Sequence, residues 1–217
     1  MLNFGRVLIG GLVAGIILFI VGFIFWASPL SELAYNNADD QQGAAVQLAL
    51  NQNLTERGTG TYVIPNPATA EGAANYARGP IATVHYNTGG YSPDDMSMIL
   101  PGLIMALVAG MLIAVGLAFG ARHATFGERA RLVLFFSLGV TVWTLLAQPV
   151  FNHHGWGYWI YSFIAETTAL ALAGLVVARW FLPHPQVAAA TASEPAVEEP
   201  PLRGEPPRRD EPEAHPS

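Results

Sequence analysis

Apolar residues run almost unbroken through four stretches of the chain, 7–27, 96–119, 132–147 and 159–181, and polar residues dominate between and after them. A bilayer core about 30 Å thick takes about 20 apolar residues of helix. The first, second and fourth runs span one directly; the third needs the turns at its ends to complete a crossing. The pattern predicts an all-α membrane protein of four transmembrane helices, with a small α+β extramembrane insert between helices 1 and 2. Helix 1 occupies 1–27, the insert 28–92, a three-helix transmembrane block 93–182 and a polar tail 183–217.

Within the insert, "NNADDQQGAAVQLALNQNL" reads as an amphipathic helix capped by Asp39 or Asp40, with Val46, Leu48, Leu50 and Leu54 as its apolar contacts. "GTYVIP" and "IATVHYN" read as short strands, rich in β-branched and aromatic residues. Two strands alone are marginal in water, so they are expected to pair and to pack on that helix and on the membrane surface. "ATAEGAANYA" between them reads as a helical turn. "SPDD" at 92–95 is expected to start helix 2 above the membrane, and Pro101 to kink it. "TFGE" at 125–128 is a capping-box pattern for helix 3, which Pro149 ends or bends. The tail holds nine of the sixteen prolines and seven acids, and is expected to be disordered.

Charged residues make up 12% of the chain, well below the roughly 25% of soluble domains. The net charge of −6 comes mostly from the insert and the tail and gives no sign of nucleic-acid binding. With no cysteine, disulfides, thiolate nucleophiles and cysteine-ligated metals are excluded. Arg6, Arg122, Arg129, Arg131 and Arg179 flank the spans on one side, while the insert and "QPVFNHHGWGYW" carry no arginine close to a span. Arginine bias predicts both termini in the cytoplasm and the insert outside, which in a bacterium is the periplasmic side of the inner membrane. The first run is longer than the h-region of a signal peptide and is expected to stay as an anchor.

Helix 2 carries Gly102, Ala106, Gly110 and Ala114 at four-residue intervals, and helix 1 carries Gly11, Gly15 and Gly22 on one face. Such stripes let backbones approach closely, either between these two helices or between copies of the chain. Helix 3 has Ser137, Thr141, Thr144 and Gln148 at offsets 0, 4, 7 and 11; helix 4 has Ser162 and Glu166 on the matching register. As antiparallel neighbours they are expected to bring the hydroxyls to Glu166, the only acid in any span. An intramembrane acid is costly and invites a functional reading, although a neutral acid tying two helices together is the simpler one.

His153 and His154 sit in a loop with Trp156, Tyr158 and Trp159, expected at the interface. Their spacing does not favour a metal site, and no metal or other cofactor is expected. No catalytic triad, phosphate-binding glycine loop or pair of catalytic carboxylates is present.

The run of an N-terminal span, the "GTYVIPNP" and "GPIATVHYN" strands and the block ending "FNHHGWGYWIYSFIAETTALALAGLVVARW" resembles uncharacterised bacterial four-span inner-membrane proteins with a periplasmic insert after the first span. That group implies an architecture and no activity. The sequence favours a non-enzymatic structural or accessory component of a membrane assembly, with a membrane-protein partner or a second copy beside it in the lipid bilayer. The alternative is a small transporter or ligand-binding membrane protein that uses Glu166.

Overall fold

A computed structural model of the protein describes residues 3–121 and 123–183; the tail, beyond Pro183, lies outside the described residues. Four helical rods are long and apolar enough to cross a membrane: Phe4–Trp26, Met96–Gly120, Phe126–Asn152 and Trp156–Phe181. The first is α1 (Phe4–Trp26), capped by the Asn3 side chain.

The insert opens with a short 3-10 turn, Pro29–Leu33, followed by α2 (Asp40–Leu54), β1 (Gly60–Ile64), α3 (Ala70–Arg78) and β2 (Ala82–Tyr86). Asp39 and Gln42 close a capping box on α2, which settles the choice of cap. The strands pair antiparallel with Thr61 opposite His85 and Tyr62 opposite Val84. Expected packing of α2 along the sheet is corrected. Val46 and Leu48 are both exposed, and the helix engages its surroundings at its C-terminal end, through buried Leu54 and a Thr55–Tyr86 hydroxyl contact of 2.7 Å. Gln and Asn fill half of the remaining positions and alanine or glycine most of the others, so α2 offers too little apolar surface to lie flat on a sheet.

The second rod starts later than "SPDD" suggests. Residues 92–95 form a turn closed by Asp95 N–H on the Ser92 carbonyl, and it is Asp95 that caps the 3-10 turn Met96–Met98. α4 (Ile99–Gly120) follows. Pro101 therefore sits in the first turn of α4, where a missing N–H leaves no bond unmade and needs no kink.

The third rod is α5 (Phe126–Thr141), a π turn at Val142–Leu146, and α6 (Ala147–Asn152). The "TFGE" capping box is present, with Thr125 and Glu128 bonded reciprocally. Pro149 does not end this rod. A proline cannot donate to the carbonyl four residues back and its ring crowds that carbonyl; the wide turn just before it relieves both problems. The last rod is α7 (Trp156–Val176), ending in a second π turn at Val177–Phe181.

Side by side, the rods run in the order α4, α1, α7, α5, so the first and last are central. α1 and α4 meet backbone to backbone. A Cβ on Gly110 would lie 2.2 Å from the Gly15 nitrogen and 2.5 Å from the Gly11 carbonyl oxygen. α7 meets α5 where Gly174 faces Val133. The core joining them is made of small and medium side chains, among them Val7, Ala14, Ala114, Val133, Ala173 and Val177. A cavity of about 550 Å³, floored by Leu170 and Gly174 of α7, lies between α4 and α5.

Candidate functional site at Glu166

The polar residues on α5 and α7 do not form one cluster. Thr141, only 2% exposed, donates to the Ser137 carbonyl and meets the Thr167 hydroxyl at 2.7 Å. Ser162 donates to its own helix at Tyr158, and Thr144 to Val140. Gln148 reaches back to the Thr144 carbonyl, and Asn152 donates to Gln148. The expected meeting of Glu166 with Ser137, Thr141, Thr144 and Gln148 is thus replaced by two separate arrangements, neither of which includes Glu166.

Two steps of helical geometry explain the difference. The π turn adds a residue to the rod, so Thr144 and Gln148 lie about 100° away from the face that carries Ser137 and Thr141. On α7, the face turned to α5 is the one bearing Thr167 and Gly174. Glu166, one residue earlier, is turned by the same angle toward α1 and α4.

There Glu166 lines a cavity of about 490 Å³. Its walls come from α1 (Leu18, Gly22, Trp26), α4 (Gly102, Met105, Ala106, Ala109) and α7 itself. The Trp26 indole shares this cavity with the Glu166 carboxyl. A second cavity of about 650 Å³ shares Leu18, Gly22, Trp26, Gly102 and Ala106 with the first and has Pro93, Asp94 and Asp95 at its rim. The two cavities adjoin along these shared walls, one beside the insert end of the bundle and the other at Glu166, and the pair is called the groove. The glycine stripe divides accordingly. Gly11, Gly15 and Gly110 form the helix crossing, with Ala114 fully buried beside it. A Cβ on Gly22 would meet nothing within 4 Å, and one on Gly102 only Phe19 at 3.7 Å. These two glycines keep the groove open.

The groove is roofed by aromatic rings. Trp26 packs on Tyr158 and Tyr161 with ring centroids 5.8 and 5.3 Å away, and Tyr35 of the insert packs on Tyr158 at 5.5 Å. The Tyr161 hydroxyl donates to the Phe25 carbonyl, fixing the end of α1 against α7. Burial, then the neighbouring Tyr158, pushes the Tyr35 phenol above its usual range. At the rim, hydrogen bonds from the Ser97 N–H and hydroxyl hold the Asp95 carboxyl below the usual carboxylate range.

His153 ends α6 in the left-handed region, at φ 54°. His154 stacks on Trp159 with rings 7° from parallel, and its Nε2 lies 3.3 Å from the Thr83 hydroxyl of β2. Both histidines line a small cavity against the insert, with Val63, Tyr76 and Thr83, and Trp156 stays exposed. Among the described residues no three His, Asp or Glu side chains come together as a metal site.

One residue that the sequence reading used only as a topology marker has a structural task. Arg129 is 1% exposed and donates through Nε to the Ala121 carbonyl at 3.0 Å, through Nη1 to Ala178 at 3.3 Å, and through Nη2 to Pro183. Its register offered a signal: Arg129, Val133, Ser137 and Thr141 recur every fourth residue and all are buried.

No family model, curated protein or solved structure matches the chain, so its function has to be read from this geometry. A first check concerns the α5–α7 seam. Thr167→Val should lower stability in mild detergent by about 0.6 kcal/mol, up to about 1.7, the range for hydrogen bonds between membrane helices. Thr168→Val is the comparison, because the Thr168 hydroxyl bonds only within its own helix. Equal melting temperatures for the two variants would remove the seam from the account.

Proposed function

We propose that the protein is a multi-pass integral membrane protein that binds a ligand in the groove around Glu166. The bilayer reading is supported by the outward faces of the rods, where Leu112, Phe135, Phe136 and Trp143 are 67–71% exposed. Bare apolar surface of that extent needs a non-aqueous solvent. Arg6, Arg131 and Arg179 lie at the end away from the insert, which supports cytoplasmic termini and an outer insert in a bacterial inner membrane.

The observation that carries the ligand reading is the direction of Glu166. The carboxyl leaves the α5–α7 seam and lines an open groove, with Gly22 and Gly102 on the walls opposite it. Apolar pockets with a few placed polar groups are where small molecules bind, and an acid inside a membrane is retained at a cost.

Dicyclohexylcarbodiimide, an apolar reagent for protonated carboxyls, should modify Glu166 in native membranes, as mapped by mass spectrometry. Glu166→Gln should escape modification at that position and melt within about 2 °C of the parent. A sharply lower melting temperature for Glu166→Leu, which removes every hydrogen-bonding atom that glutamine keeps, would return the residue to the role of helix tie.

A second reading rests on Gly22 and Gly102, whose open faces would let another backbone approach. In it the protein is an accessory component whose groove is filled by a partner's helix. Glu166 would then be shielded from the carbodiimide in native membranes and become reactive only after purification.

A further inference from the structure

We infer that the groove takes a lipophilic monocation, an organic ammonium or similar charge on an apolar body, which exchanges with the proton on Glu166. This rests on the ligand-binding reading above and adds the chemical class.

Charge comes first. The residues lining the two joined cavities include three acids, Glu166, Asp94 and Asp95, and no Arg, Lys or His. An anionic ligand would meet like charge at the rim and find no cation at the floor to balance it. A phospholipid headgroup would set its phosphate against Asp94 and Asp95, and is disfavoured for the same reason. Asp95 stays anionic because Ser97 donates two hydrogen bonds to it, so the rim attracts cations before they enter.

An inorganic cation is a poor fit. Such ions take about six or more oxygen ligands, and Glu166 is the only carboxylate on the deeper cavity. An organic cation needs one counter-charge and an apolar, aromatic surround. Leu18, Met105 and Leu170 supply the first part of that surround, and Trp26 walls both cavities. A ring within about 6 Å attracts a cation through its π face. The volumes, about 490 and 650 Å³, lie in the range that holds a drug-sized molecule, roughly 300–1,000 Å³.

Exchange with a proton follows from the surroundings of Glu166. From α1 the polar group facing it is Trp26. From α4, Gly102, Met105, Ala106 and Ala109 carry nothing that titrates, and on α7 neither do Ala165, Ala169 and Leu170. Tyr158 and Tyr161 stand behind Trp26, and Asp94 and Asp95 at the rim. No fixed cation faces the carboxyl from any of these positions. Its charge is therefore balanced either by its own proton or by the ligand, and one leaves as the other arrives.

The test uses the full chain in a mild non-ionic detergent, with tetraphenylphosphonium as a permanently charged probe, followed by equilibrium dialysis from pH 4.5 to 8.5. Saturable binding at one site per chain is expected, tightening with pH by up to tenfold per unit. Neutral triphenylphosphine oxide should not compete. Glu166→Gln should weaken binding at least tenfold, and Gly22→Leu, which fills the groove away from any helix contact, should do the same with an unchanged melting temperature. Binding that is independent of pH, or unaltered in both variants, would overturn the proposal. If tetraphenylphosphonium does not bind while Glu166 still reacts with the carbodiimide, the cation class fails and the groove reading stands. If Glu166 does not react either, both fail.

Discussion

Valine at position 110 should force α1 away from α4 and cost the bundle about 3 kcal/mol or more, the upper end for overpacked cores. Gly110 meets α1 at the Gly15 nitrogen and the Gly11 carbonyl, and a Cβ there would come within 2.2 and 2.5 Å of them. Both obstacles are backbone, so no side chain can turn aside. The reverse contact is as close: a Cβ on Gly15 would lie 2.6 Å from the Leu107 Cα. Relief therefore requires moving one helix as a whole, which opens the core at Ala14 and Ala114. Gly116→Val is the control, since nothing lies within 4 Å of a Cβ there. In detergent, Gly110→Val should lose roughly 10 °C of melting temperature, at about 2–4 °C per kcal/mol for a chain of this size. Equal melting of the two variants would mean that the crossing does not hold the helices together.

Arg129→Met should be comparably damaging. The guanidinium reaches carbonyls at three places: Ala121 after α4, Ala178 in the second π turn, and Pro183 beyond it. Helix ends leave carbonyls without intrahelical partners, and a cation at a C-terminal end also complements the helix dipole. Methionine keeps an unbranched, flexible stem and removes every donor. About 2–5 kcal/mol should be lost, because hydrogen bonds to charged groups contribute about 1.5–3 kcal/mol each and their buried acceptors would stay unpaired. Lysine should recover less than half, since one ammonium cannot imitate a planar fork. Arg131→Met, on an exposed residue two positions along, should melt like the parent. Thermal unfolding read by tryptophan fluorescence would separate these cases; an Arg131 variant as unstable as the Arg129 variant would point to net charge instead.

The apolar runs made the four rods legible in the sequence, because a span is long enough for composition alone to mark it. The caps at Asp39 and Thr125 and the two strands of the insert were legible for a similar reason: each depends on a few residues close in sequence. Glu166 was recognisable as an anomaly, but not its direction. Its stripe with Ser162 assumed that the polar face of α7 turns to the nearest neighbour in the chain. α7 has neighbours on both sides, and one residue's step of rotation exchanges them. The stripe from Ser137 to Gln148 assumed an unbroken α-helix, and the π turn before Pro149 ended that periodicity. Arg129 counted as a positive charge near a span, which hid its hydrogen bonds; carbonyl partners that come from three distant points of the chain leave no local pattern.

The order α4, α1, α7, α5 also governs when the molecule can become whole. α1 and α4 can lock at their glycines as soon as both have left the ribosome. α5 then emerges with nothing to rest on, its Thr141 and Arg129 still without the partners that lie later in the chain. α7 comes last of the four and fits against both α1 and α5, so a single insertion step completes the core, supplies Thr167 and Ala178, and builds the wall that holds Glu166. Until that step the floor of the groove does not exist, and the two seams of α7 are the last surfaces to close.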